Sequence, residues 1–131
     1  MEFIPEMSEQ DVNKISILGL AHVGDAVYEL MTRSRLCLEG HSSVMELHRR
    51  TVAKVNAAAQ AEAARKLLPS LTEEELAVYK RGRNAKVHSV PHHADIGQYH
   101  AATGLEALFG WLYLCGKTER LKALYSAVTE E

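Results

Sequence analysis

A chain of 131 residues, 47 % hydrophobic and 24 % charged, has the size and balance of one globular domain that can bury a core without disulfides or a structural metal. Its two cysteines, Cys37 and Cys115, stand far apart and in no CxxC pattern, which argues against a disulfide scaffold or thiolate zinc site and reads as two small core residues in a reducing cytoplasm. A formal net charge of −2 excludes a uniformly basic nucleic-acid binder, so such a partner would have to be met by a local cluster of cations.

Residues Met1 to Gln10 lack a basic stretch followed by an apolar run, so they do not read as a signal peptide, and no apolar run approaches the length of a membrane span. Aromatics make up 6 % of the chain while alanine and leucine are abundant. The expectation is an all-α fold of five or six helices, one domain over residues 1–131, with no strand, linker or repeat.

In chain order, Ser8 with Asp11 marks a helix start. A helical pattern then runs from about Val12 to Leu38, with Leu20, Val23, Val27 and Leu30 as one apolar face and Gly40 as its end. Ser43 and Glu46 repeat the capping pattern and open a segment from Val44 to Leu68, whose alanine-rich centre favours close helix packing and which Pro69 closes. Thr72 and Glu75 open a short helix to about Tyr79, with the acidic run Glu73-Glu-Glu75 favourable at that end of the dipole. Lys80 to Ile96, with Gly82, Pro91 and several cations and histidines, reads mainly as loop. Two last helices are expected over Gln98 to Cys115 and Thr118 to Val128.

Two acids stand out. Asp25 lies in Leu20-Ala-His-Val-Gly-Asp-Ala-Val-Tyr-Glu-Leu30, off the apolar face, beside Gly24. A helical glycine costs about 1 kcal/mol relative to alanine, which suggests close contact with a ligand or another backbone. Glu106 lies in Ala101-Ala-Thr-Gly-Leu-Glu-Ala-Leu-Phe-Gly-Trp-Leu-Tyr-Leu114, among the core stripe Leu105, Leu108, Phe109 and Leu112. A carboxylate there is expensive to bury unless paired or bound to a metal. Singly, each acid reads as a cap, an ion-pair partner or a solvated side chain. Together, on glycine-bearing apolar helices, they point to a shared site without revealing its reaction.

These two stretches carry a resemblance. Val23-Gly-Asp-Ala-Val-Tyr-Glu-Leu30 resembles the signature of the ribonuclease III catalytic domain, and Glu106-Ala-Leu-Phe-Gly-Trp-Leu-Tyr113 resembles that family's second acidic motif, in matching order and spacing. The similarity spans essentially the whole chain. With no following double-stranded RNA-binding domain, and with Arg81-Gly-Arg-Asn-Ala-Lys86, it points to the Mini-ribonuclease III branch. The resemblance implies Asp25 and Glu106 as metal-binding and catalytic acids. Two further positions that are usually acidic in the family are Ala21 and Thr103 here. Two acids remain where the full family has four, and water or RNA phosphate oxygens would complete the magnesium shell.

The implied activity is a magnesium-dependent endoribonuclease, with manganese able to substitute, that cuts double-stranded RNA as a cytoplasmic homodimer. The implied substrate is the precursor of large-subunit ribosomal RNA, with a ribosomal protein as accessory factor. Hard oxygen ligands suit magnesium or manganese over zinc, and the ion supplies an activated water and relief of charge on the leaving oxygen. A non-catalytic RNA-binding module on the same fold is the alternative, and a helical interaction protein the next.

Lys80, Arg81, Arg83 and Lys86, with Asn84 between them, would alone read as a solvated loop. Under the resemblance they become a phosphate-contacting loop. Arg49, Arg50 and Lys54 form a second basic group. His88, His92, His93 and His100 do not make a zinc motif, because Pro91 interrupts the one helical spacing and no HExxH is present. His22, three residues before Asp25, reads as packing or surface, with lining the site or binding phosphate as its alternative. Tyr28 and Tyr113 read as hydrogen-bonding groups around the metal site, and Trp111 as packing.

Overall fold

The computed structural model describes residues 7–40, 43–86 and 95–129, and they form helices with no strand among them. The elements are α1 (Glu9–Asn13), α2 (Ile17–Leu38), α3 (Val44–Val55), α4 (Ala57–Leu67), a 3₁₀ turn (Leu68–Ser70), α5 (Glu73–Arg83), α6 (Ile96–Leu114) and α7 (Thr118–Thr129). The all-α expectation holds. The count rises because two expected segments are each divided. Ser16 accepts a hydrogen bond from the Gly19 amide and starts α2 afresh after α1. Asn56, in extended backbone, accepts from the Ala59 amide and separates α3 from α4. An asparagine side chain that bonds its own backbone competes with the helix, and this outweighs the propensity of the flanking alanines.

α6 is the centre. Ala102 to Leu105 and Ala107 to Leu112 are all buried, as an apolar helix must be when neighbours cover it on every side. α2, α4, α5 and α7 pack around it. Trp111 is core, as expected, and its indole N–H donates to Asn13 Oδ1 at 3.0 Å.

The buried face of α2 differs from the sequence pattern. Leu20 and Val27 are buried, but so are Ala21, Gly24 and Tyr28, while Val23 is half-buried and Leu30 is 56 % exposed. The helix is turned toward its small residues because those allow the closest approach to α6. Cys37 is exposed and Cys115 half-buried, so neither is the core residue expected.

The capping boxes at Ser8 and Thr72 form with both reciprocal hydrogen bonds. At Thr72 the box does more than cap. Glu75 is only 4 % exposed, and its carboxylate accepts from the Thr72 amide and from Arg120 Nε and Nη2 of α7, both at 2.8 Å. Arg120 thereby ties α7 to the start of α5. Arg120 beside it holds the Glu75 carboxyl below the usual carboxylate value of 4.5. Arg120→Ala should therefore destabilise the fold by about 2 kcal/mol at pH 7, because it strands a buried charge. A group whose folded pKa is depressed contributes stability above its unfolded value and loses it as pH falls through the folded one. In urea titrations the deficit should shrink below about pH 4; a deficit that stays constant down to pH 3 would show that the ion pair is not its cause.

Candidate active site

The site begins with two glycines. Where α2 crosses α6, a Cβ added to Gly24 would fall 1.6 Å from the Glu106 carbonyl oxygen, and one added to Gly110 would fall 2.0 Å from the Leu20 carbonyl oxygen. The two backbones touch there without side chains between them. The glycine beside Asp25 is thus explained by another backbone rather than by a ligand.

This crossing joins the two acids. Asp25 follows Gly24 and is exposed, while Glu106, whose own carbonyl rests on Gly24, is half-buried. Burial, and then the facing Asp25 carboxylate, push the Glu106 carboxyl up to about 8. The one neighbour that favours its ionised form is the amide of Gln60 from α4. The sequence reading missed Gln60. It sits on the buried stripe Gln60, Ala63, Ala64 and Leu67, and a polar residue at helical spacing from small buried ones was the available signal.

Burial and the neighbouring Asp25 carboxylate both oppose ionisation of Glu106, and a divalent cation held between the two acids would reverse both penalties. The donor set fits a hard cation such as magnesium or manganese, because it is all oxygen. Among the described residues no three His, Cys, Asp or Glu side chains converge on one point, so a cation here would have Asp25 and Glu106 as its carboxylate ligands. Ala21 and Thr103 are both buried, and the Thr103 hydroxyl donates to the Tyr99 carbonyl at 3.0 Å, within its own helix.

The first basic group is placed differently from expectation. Lys80, Arg81 and Arg83 lie in the last turn of α5, Asn84 caps it, and Lys86 follows, all of them exposed. Gly82 is helical because α5 lies directly on α6. A Cβ there would meet Ala107 Cβ at 2.8 Å and Gly104 Cα at 2.9 Å. The sequence suggested a loop because the partner that Gly82 serves is more than twenty residues away. This contact sets the basic turn against α6 within one turn of Glu106. Arg83 lies over the Tyr79 ring, 5.9 Å from its centroid, and donates from Nε to Asn84 Oδ1 at 3.2 Å.

Arg49 and Arg50 are engaged elsewhere. Both bond the Glu46 carboxylate, and that pairing holds Glu46 down at about 2. Lys54 is exposed near Tyr125 and Thr129. Tyr28 is a core residue rather than a site residue. It packs edge-on against Phe109 at 5.1 Å and Tyr125 at 5.5 Å, and burial raises its hydroxyl above the ordinary tyrosine value. Tyr113 instead joins His22, Val23, Ala26 and Leu30 in a shallow apolar groove on the outside of α2. His88, His92 and His93 lie outside the described residues. His100 is half-buried at the start of α6, its Nδ1 without a hydrogen-bond partner.

Residues 18–117 match the Ribonuclease III domain family. The chain belongs to the ribonuclease III family. It is 48 % identical over 113 residues to the Mini-ribonuclease 3 of Symbiobacterium thermophilum, covering 86 % of this chain and 87 % of that one. It is 39 % identical over 124 residues to the Mini-ribonuclease 3 of Clostridium tetani, covering 94 % and 82 %. A crystal structure of a Fusobacterium nucleatum protein superposes with a TM-score of 0.81 at 34 % identity, over 88 % of this chain and 94 % of that one. These similarities set the chain in the Mini-ribonuclease III branch of the ribonuclease III family and make it an endoribonuclease rather than a binding module or a plain interaction domain.

Proposed function

We propose that this ribonuclease III-family enzyme cleaves double-stranded RNA with magnesium, or manganese in its place, held by Asp25 and Glu106. The observation that carries this reading is the glycine-on-glycine crossing of α2 and α6, which brings Asp25 beside a Glu106 carboxyl whose ionised form burial and Asp25 both oppose. When bound, the cation supplies an activated water and neutralises charge on the leaving oxygen. The protein's part is to fix the two carboxylates on helices that cannot slide apart and to hold the RNA backbone beside them. The wild-type protein should cut a duplex RNA when magnesium is added and leave it intact in chelator. The same RNA made single-stranded should survive both conditions. Cleavage of the single strand at an equal rate would defeat the duplex assignment, and undiminished cleavage in chelator would defeat the metal.

Double-stranded RNA hides its base edges in a deep, narrow groove, so proteins grip its phosphates and 2′-hydroxyls. On a chain of net charge −2, the densest source of that grip is the end of α5: Lys80, Arg81, Arg83, Asn84 and Lys86. Arg49 and Arg50, shared with Glu46, form a secondary contact. Replacing Arg81, Arg83 and Lys86 by alanine should weaken binding to many duplexes alike and flatten the salt dependence by roughly one unit of slope per lost phosphate contact. Saturating RNA should restore most of the single-turnover rate. An unchanged slope would move the grip to Arg49, Arg50 and Lys54.

The groove of His22, Val23, Ala26, Leu30 and Tyr113 is an apolar strip next to Asp25, and it supports a homodimer in which α2 packs on its partner's α2. Two such sites in one particle would give a small enzyme a continuous surface for a long duplex. The biological substrate we propose is the precursor of large-subunit ribosomal RNA in the cytoplasm, with a ribosomal protein assisting. No helix among the described residues is long and apolar enough to cross a membrane.

A further inference from the structure

Gln60 is 2 % exposed, in the first turn of α4, with its backbone fixed by the bond from its amide to the Asn56 carbonyl. Its side chain is less settled. The amide nitrogen Nε2 is buried with no hydrogen-bond partner of ordinary geometry. Leaving such a donor unpaired destabilises the fold, and an apolar residue of the same length would avoid that penalty. A core that tolerates this penalty at a position lined by alanines is retaining the amide for a reason other than stability.

The polar group within its influence is Glu106. α4 packs against α6, and the buried Gln60 amide is a side-chain neighbour of the Glu106 carboxyl there. Alanines dominate the rest of α4, so that α4 can approach α6 and bring the amide to the acid.

We propose that Gln60 is a positioning residue for Glu106: its amide N–H is held for one oxygen of that carboxylate, which keeps the other directed toward the side it shares with Asp25. This rests on the reading of Asp25 and Glu106 as the cation-holding pair. Groups that orient metal-ligating side chains typically change metal affinity by about 10–100-fold when removed. Gln60 would then act on the cation through Glu106, and its loss would not touch the grip on RNA.

The test uses the full chain and manganese as a countable probe, with free Mn²⁺ measured by electron paramagnetic resonance. Gln60→Met keeps the side chain's length, and Gln60→Leu serves as a second variant of similar volume. Both should fold, with a melting temperature in chelator equal to or above that of wild type. Both should bind Mn²⁺ about tenfold or more weakly and cleave more slowly in single turnover, with duplex affinity in chelator unchanged. Wild-type Mn²⁺ affinity in either folded variant would overturn the proposal. So would a loss of stability matching the loss of affinity, or failure of both variants to fold, since the amide would then be a structural necessity. Failure of the underlying pair is read separately: Glu106→Gln binding Mn²⁺ as wild type does would remove the pair itself.

Discussion

Gly24→Ala should destabilise the protein by more than about 4 kcal/mol, enough to leave little folded material at 37 °C for a domain of ordinary stability. In an exposed helix the same change would help, because alanine exceeds glycine in helix propensity by about 1 kcal/mol. Here the added methyl would sit 1.6 Å from the Glu106 carbonyl oxygen and 2.7 Å from the Gly110 nitrogen. Both obstacles are backbone, so no rotamer change relieves them. α2 and α6 would have to separate along the most extensive helix–helix contact of the fold, and close-packed interiors do not accommodate such shifts locally. Gly110→Ala meets the Leu20 carbonyl oxygen at 2.0 Å and should behave alike. Gly97→Ala is the control, since its methyl would meet only an Asp95 side-chain oxygen at 3.3 Å in the exposed first turn of α6. Urea denaturation followed by circular dichroism separates the cases. A Gly24→Ala variant as stable as wild type would mean that the helices do not cross backbone to backbone, and that the placement of both acids needs another cause.

Why part of this was legible in the sequence and part was not follows from range. The capping side chains of Ser8, Ser43 and Thr72 act within three residues, and all three caps form, although Ser8 caps only the short α1 and Ser16 starts α2. The continuous apolar run of α6 announced a buried helix, and a lone acid within it announced a cost. The glycine beside Asp25 signalled a close approach, but its partner, the α6 backbone, belongs to a distant segment that no local pattern names. Gly82 failed for the same reason and was read as loop. Leu30 fitted the 3.6-residue periodicity and yet faces outward, because periodicity locates an apolar stripe without saying whether one partner or two cover it. Gln60 was hidden inside an alanine-rich run that looks like plain helix until α4 is laid against α6. Arg49 and Arg50 looked like free cations because Glu46, three and four residues earlier, was counted only as part of a cap. Its carboxylate turns to the two arginines instead.

Asp25→Asn and Glu106→Gln should each reduce single-turnover cleavage of duplex RNA by about 10²–10³-fold or more, the size lost when one electrostatic contact to a developing charge is removed. Each swap keeps the shape of the side chain and deletes a negative charge, so any loss reflects charge and coordination rather than packing. Binding of duplex RNA in chelator should be unchanged or slightly tighter, since removing an acid reduces repulsion of the phosphates. Stability in chelator is the diagnostic companion measurement. Burial and the Asp25 carboxylate both oppose ionisation of Glu106, and either substitution removes part of that penalty. Both variants should therefore melt at or above the wild-type temperature without metal. Added magnesium should stabilise wild type, because a ligand that binds only the folded state raises its stability by mass action, and should stabilise the variants much less. Inactivity combined with equal or greater stability is the signature of residues kept for chemistry at the expense of the fold. Lost activity together with a lower melting temperature would instead make the pair structural. Near wild-type cleavage by either variant would show that its acid is not a required ligand.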